Sequence, residues 1–304
     1  MNGFKILDFA DIQPQLEHLH EHGWDAGLYV GFPNFKPHYN MTVDGCTDWT
    51  GYPSSGKTEL LLELLFSMST FYGWKHLLYV PDIGKSVEVM AKLIHKYTGK
   101  TFIKRYNNYI DIATAFNSCG WLLEHFKILH KVDVKAKITP LQLWDYAIKV
   151  KEEQGLNSVV IDSWKDLFHD YSANGGGYAT YLSHVLPIRN AIAEKHKLHM
   201  HTVIHPKNPL PSAKTPAPMS TDMEGGAQWS NSGKCIIAVH REDFDNNIAD
   251  IYFRKIKPES VGRNTSTPVT LTYDIQRSRF YYGDKLYAAK ERVEIEPNPI
   301  AYEF

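Results

Sequence analysis

The residues best suited to chemistry lie together at Gly51-Tyr52-Pro53-Ser54-Ser55-Gly56-Lys57-Thr58. Glycines in such a run let the backbone curl so that several N–H groups point inward, and a following helix adds its positive end. A loop of this kind cradles phosphates. Gly51, Ser54, Ser55 and Gly56 supply the cradle, Lys57 is placed to neutralise the β- and γ-phosphates of a nucleoside triphosphate, and the Thr58 hydroxyl is placed to ligate Mg2+. Asp162 closes the apolar run Ser158-Val159-Val160-Ile161. Ligands of open α/β sheets gather at that end of a strand, so its carboxylate can share the Mg2+ shell with Thr58. The expected ligands are ATP or another NTP, and Mg2+.

These groups need strands and helices to hold them. Glu59–Phe71 has the apolar density of a buried helix ended by Gly73, and His76–Val80 reads as a short strand closed by Pro81. Helical patterns follow at Ile12–His22, Ser86–Tyr97, Ile110–His130 and Ala179–His196. Another starts at Thr139-Pro140, with Thr139 as N-cap, Pro140 at N1 and Gln142 completing a capping box. Strands are expected at Ser158–Asp162, His199–His205, Lys234–His240, Ile248–Ile256 and Val269–Tyr273. Strands alternating with helices and then following one another predict an α/β fold, mainly parallel, with an antiparallel edge. Cys46-Thr47-Asp48-Trp49-Thr50, just before the loop, is polar for a central strand: either Asp48 is paired or the strand is shorter.

The chain has 304 residues, with 33 basic and 34 acidic side chains, so no global basic excess advertises nucleic acid. Cys46, Cys119 and Cys235 are odd in number and widely spaced, which argues against a disulfide scaffold and fits a reducing interior. The N-terminus lacks a basic-then-apolar signal and no apolar run approaches membrane-spanning length. A cytoplasmic protein with no membrane partner is expected. The divisions expected are an N-terminal segment over 1–40 that packs on the core or on a neighbouring subunit, a catalytic domain over 41–282, and an acidic tail over 283–304.

The phosphate loop is followed by Val159-Val160-Ile161-Asp162-Ser163-Trp164 and Val203-Ile204-His205-Pro206-Lys207. Then come Gly225-Gly226-Ala227-Gln228-Trp229-Ser230-Asn231 and Ala238-Val239-His240-Arg241-Glu242-Asp243. Together, over roughly 24–282, these resemble the RecA-like motor domain of DnaB-type replicative helicases, in the branch of phage primase-helicases and Twinkle. The resemblance implies a RecA-like P-loop NTPase acting as a helicase or single-stranded DNA translocase, in a hexameric ring with a possible primase or replisome partner. It implies that His205 senses the γ-phosphate and that Arg241 and Tyr273 bracket the base. A guanidinium and an aromatic ring can both stack on a base face. A RecA-like recombination or loading ATPase, or a weakly hydrolysing nucleotide switch, is the alternative.

Two positions depart from the family. Where it has a glutamate after the second strand to polarise the attacking water, this sequence has Val80-Pro81-Asp82, so a side chain one methylene shorter serves. Where it has Lys-x-Arg on a late strand, reaching the neighbouring subunit's γ-phosphate, Lys255-Ile256-Lys257 stands instead. Lys257 brings charge without a bidentate fork, and Arg254 has the wrong strand phase unless the strand bulges. Lys57, Asp82, Asp162, His205 and Lys257 are thus the expected catalytic residues.

Two loops are expected to meet DNA: Lys165–Gly177, and Lys207–Gln228 with Lys207 and Lys214, whose lysines contact phosphates without reading sequence. Asp222 and Glu224 reduce the basic character of the second. His18, His20 and His22 lie on a predicted helix, where residues two apart do not converge on a metal.

Overall fold

The computed structural model describes residues 5–133, 135–172, 176–207 and 215–283. A nine-stranded sheet runs through it. The strands are β1 (Cys46–Thr50), β2 (His76–Tyr79), β3 (Phe126–Ile128), β4 (Ser158–Ile161), β5 (His199–Val203), β6 (Cys235–His240), β7 (Ile248–Lys255), β8 (Val269–Asp274) and β9 (Arg279–Tyr281). Their order is β3-β2-β4-β5-β1-β6-β7-β8-β9. The first six positions pair in parallel and the last three add antiparallel ladders. The helices are α1 (Phe9–His22), α2 (Lys57–Tyr72), α3 (Ser86–Thr98), α4 (Ile112–His125), α5 (Pro140–Gln154), α6 (Tyr178–His196) and α7 (Ala227–Ser232).

Local signals explain most of these ends. Thr139 accepts from the Gln142 backbone N–H and Gln142 accepts in return, the capping box expected from sequence. Gly73 ends α2 in the left-handed region, where lack of a Cβ removes the steric cost. The helix expected through His130 stops at His125, because Phe126 turns extended and pairs beside β2 as the edge strand β3. Three residues are too few for a strand period to show against the helical pattern before them. β9 and α7 were likewise too short to predict.

Two cores flank the sheet. One packs α2, α3 and α4 with Val30, Phe32, Phe35, Tyr39 and Met41. The other packs α5 and α6 with Trp164 and Trp229. α1 buries no residue, and Phe9 and Leu16 on it stand exposed beside Ile6 and Leu7.

The polar strand β1 is buried at all five positions. Arg189 of α6 donates to Asp48 Oδ1 at 2.5 Å and to Oδ2 at 3.2 Å, with both side chains fully buried. Thr202 Oγ1 accepts a third bond from the same guanidinium at 3.0 Å. Of the two alternatives for Asp48, the fold takes the paired one. Thr47 is satisfied by Tyr39 at 2.8 Å and His199 at 2.9 Å.

Candidate nucleotide site

β1, β2, β4 and β5 are parallel, so the residues that leave their C-terminal ends share one edge of the sheet. β1 runs into the phosphate loop, β2 into Pro81-Asp82, β4 into Asp162, and β5 into Ile204-His205. β6 ends there before Arg241. β8, antiparallel to β7 and so directed like β6, brings Tyr273 to the same edge. Residues 222 positions apart in sequence therefore share one sheet edge because strand direction, not proximity in the chain, delivers them.

The loop has the backbone its glycines imply. Gly51 has φ 153°, and a Cβ there would stand 2.3 Å from the Val239 carbonyl oxygen, so β6 leaves room for no side chain. Gly56 caps α2 in the left-handed region. Lys57 is folded back, donating to the Tyr52 carbonyl at 2.9 Å. Burial pulls its pKa down to about 8, against the favourable fields of Asp162 and Asp82. Thr58 donates to Asp162 Oδ2 at 2.5 Å. Burial pushes the Asp162 carboxyl up to about 6, only partly offset by that hydrogen bond.

Hydroxyl and carboxylate side by side are hard oxygen donors of the kind Mg2+ takes when it also binds phosphate. Ser55 Oγ, buried beside them, has no hydrogen-bond partner among the described residues. Thr58 and Asp162 therefore fit a divalent cation, and Ser55 has bonding capacity left for a ligand.

Asp82 lies within reach of two cationic or polar partners. His205 Nε2 is 3.4 Å from Asp82 Oδ2, and Lys165 Nζ is 3.8 Å from Oδ1. Burial, then the Lys57 charge, lowers the His205 pKa, so its imidazole is held neutral. Lys165, expected on a DNA loop, thus stands at the nucleotide edge. Lys207 lines the same 710 Å³ cavity as Lys165, His205 and Ser55. Lys214 lies outside the described residues, as does the Asn174-Gly175 part of the first loop's tip.

Arg241 and Tyr273 line a 290 Å³ cavity with residues 54–59, and Arg241 and Ser55 line the larger cavity as well. Arg241 is braced by the Phe244 carbonyl at 3.1 Å and by the Phe244 ring at 5.2 Å. The Tyr273 hydroxyl meets Ser278 Oγ at 3.1 Å, and Ser278 donates to Glu59 at 3.2 Å. Glu59 is in turn paired with Lys92 and Lys96 of α3, and its carboxyl is held down at about 2 by those cations against burial. Sequence reasoning missed Glu59, Asn247 and Phe280 in this cavity; only Glu59, next to Thr58 in the first turn of α2, carried a local signal.

Lys257 is not with these groups. β7 runs opposite to β6, so Lys257 follows its end at the far edge of the sheet and is exposed there. The ladder steps from Ile236–Lys255 to Ile237–Phe253, leaving Arg254 as the extra residue of a bulge. Arg254 donates to the Pro218 and Ala217 carbonyls at 3.0 and 3.2 Å, which anchors the second loop. Lys255 donates to the Ser230 and Asn231 carbonyls at the end of α7.

The same architecture occurs in solved structures. A structure of an ATPase domain superposes with a TM-score of 0.73 and 17% identity, over 90% of this chain and 99% of that one. A structure of a DnaB-like replicative helicase and its interactions with primase gives 0.72 and 15%, over 92% and 68%. The fold is that of a DnaB-like helicase ATPase domain. The Twinkle homolog protein, chloroplastic/mitochondrial, of Arabidopsis thaliana is 24% identical over 272 residues, which is 85% of this chain. The chain spans 37% of that relative's length. No family model matches the sequence. No described helix is long and apolar enough to cross a membrane.

The two shifted groups in this site give opposite pH limits. A triphosphate bound here would favour charged Lys57, so its binding would take up a proton as pH passes about 8 and weaken above it. A cation on Asp162 would have to displace a proton below about pH 6, so any Mg2+ contribution to binding would fade as pH falls through that value. Without metal, Asp162 favours the fold fully below 3.8, and that contribution is lost as pH rises through about 6. Calorimetry in two buffers of different ionisation enthalpy checks the first; zero net proton uptake at pH 8.5 would contradict it.

Proposed function

We propose that this chain is the motor domain of a DnaB/Twinkle-type helicase, hydrolysing ATP or another NTP to move along single-stranded DNA in a hexameric ring. The observation that carries the reading is the meeting of Lys57, Thr58, Asp82, Asp162 and His205 at one sheet edge, between the cavity lined by Arg241 and Tyr273 and the one lined by Lys165 and Lys207.

In this reading the base enters between Arg241 and Tyr273, and the triphosphate runs over residues 51–58 toward His205. Lys57 leaves the Tyr52 carbonyl for the β- and γ-phosphate oxygens. Thr58 and Asp162 would hold Mg2+, which when bound would supply charge neutralisation to the phosphates. Asp82 orients the attacking water, and neutral His205, close to both, reports the γ-phosphate to the second loop. That link is direct: the Glu224 backbone N–H donates to the His205 carbonyl at 3.0 Å.

Lys257, on the far edge, would reach the γ-phosphate of a neighbouring copy, and the exposed apolar residues of α1 would pack on a neighbour. A lone ammonium there gives charge without the two parallel bonds of an arginine. A primase or other replisome partner belongs to the same proposal.

Asp82→Asn is expected to lower kcat by roughly 100-fold, within the range for a positioned base, while leaving ATP affinity near its original value. Single-turnover hydrolysis beside equilibrium binding measures both. For the function as a whole, hydrolysis is measured with and without single-stranded DNA, and particle mass with nucleotide. DNA stimulation and a six-fold mass are the expected results; a monomer indifferent to DNA would sink the motor.

A further inference from the structure

We propose that Tyr171 is a base-stacking platform for single-stranded nucleic acid, set where the two expected DNA loops meet; the proposal rests on the motor reading above. Tyr171 as a residue is 41% exposed although it sits among other aromatics. Tyr178 and Tyr181 approach it edge-on at 5.6 and 5.5 Å between centroids, and His169 lies nearly parallel at 6.2 Å and 13°. His169 is itself fixed from both ring nitrogens, Nε2 to the Trp164 carbonyl at 2.9 Å and Nδ1 to the Tyr181 hydroxyl at 3.1 Å. The tyrosine backbone is tied on both sides, its N–H to the His169 carbonyl and its carbonyl to the Gly176 N–H. A ring braced in this way loses little freedom when a base stacks on it, so more of the stacking energy appears as affinity.

The surroundings select a base over a phosphate. The second loop packs against the same cluster: a Cβ on Gly225 would lie 3.0 Å from Tyr178 Cε1. Burial and then the nearby Glu224 carboxylate raise the Tyr171 phenol, so that carboxylate is close enough to act on the ring. Negative charge there repels a phosphate but costs an uncharged base nothing. Glu224 also lines the cavity that holds Lys165 and Lys207, both exposed. Backbone phosphates would follow Lys207, with a base turned toward Tyr171. Stacking of this kind is tolerant of sequence because every base has a π-face, which suits a translocase.

The test is equilibrium binding of a fluorescent oligothymidylate across a salt series, with a non-hydrolysable ATP analogue present, to the wild-type chain, Tyr171→Ala, Tyr171→Phe and Lys207→Ala. Tyr171→Ala is expected to bind about 10-fold more weakly with an unchanged salt slope, and Tyr171→Phe to bind like the wild type, because the ring and not the hydroxyl is used. Lys207→Ala should reduce the slope instead. An abasic oligonucleotide of equal length should bind the wild type as weakly as oligothymidylate binds Tyr171→Ala. Wild-type affinity in Tyr171→Ala, or equal wild-type binding of abasic and base-bearing strands, overturns the stacking role while leaving the motor standing. A wild-type chain that binds no strand at any salt overturns both. The abasic comparison uses only the wild-type protein, so it decides the matter even if the alanine variant fails to fold.

Discussion

Arg189→Ala is expected to cost about 3–5 kcal/mol of folding stability, the range for removing one partner of a buried ion pair. The substitution leaves the Asp48 carboxylate in the middle of the sheet with neither water nor guanidinium, since both side chains are fully buried. Burial already pushes the Asp48 carboxyl up, and Arg189 is what opposes it. Burial also disfavours the Arg189 charge, but Asp48 overcomes this and holds the guanidinium above its ordinary value. Each half of the pair therefore depends on the other. In a chain of this size the loss corresponds to a fall in Tm of roughly 10 °C.

Replacing both partners separates pairing from mere occupancy. Asp48→Leu with Arg189→Met should recover most of the stability, because two apolar groups of similar volume carry no desolvation cost. Thermal unfolding of the three chains is the measurement. An Arg189→Ala chain as stable as the original would show that Asp48 is not held as a charge. Arg189 also lies 5.4 Å from the Trp229 ring, in the helix that follows the second loop. Weakened DNA response in the double variant would therefore point to this cation–π contact.

Lys57→Ala is expected to reduce NTP turnover on the order of 1,000-fold, at the upper end for a single electrostatic donor. The variant should not lose intrinsic stability. Lys57 is buried and its charge is penalised by desolvation in the absence of nucleotide, so removing it relieves a cost. What should vanish is the stabilisation on adding nucleotide and Mg2+, about 2.7 kcal/mol at a hundred times Kd in a competent chain, which is read as a rise in Tm. Turnover assays beside thermal shifts distinguish the two effects. A variant with an unchanged nucleotide-induced shift would remove Lys57 from the phosphate site.

How much of this was legible in the sequence depends on how far apart the cooperating residues lie. The phosphate loop was readable because residues 51–58 are contiguous: a few backbone dihedrals and one helix start fix the cradle. Helix caps such as Thr139–Gln142 were readable for the same reason, as their bonds span three residues. Asp162 was readable because an apolar run ending in aspartate states both the strand and its exit.

The remaining features needed the fold. Asp48 meets Arg189 across 141 residues, and nothing near either one names the other. Asp82 meets His205 across 123 residues, and Lys165 joins them from a loop assigned by sequence to DNA. The bulge at Arg254 moves that side chain onto the loop carbonyls, a change that strand alternation alone could not contain. Tertiary structure decided these because strand order and register, set by burial of whole faces, determine which distant side chains share an edge. The sequence by itself determined the curled loop and helix start at Gly51–Thr58; the order of β1, β2, β4 and β5 decided which carboxylate and which imidazole stand at its edge of the sheet.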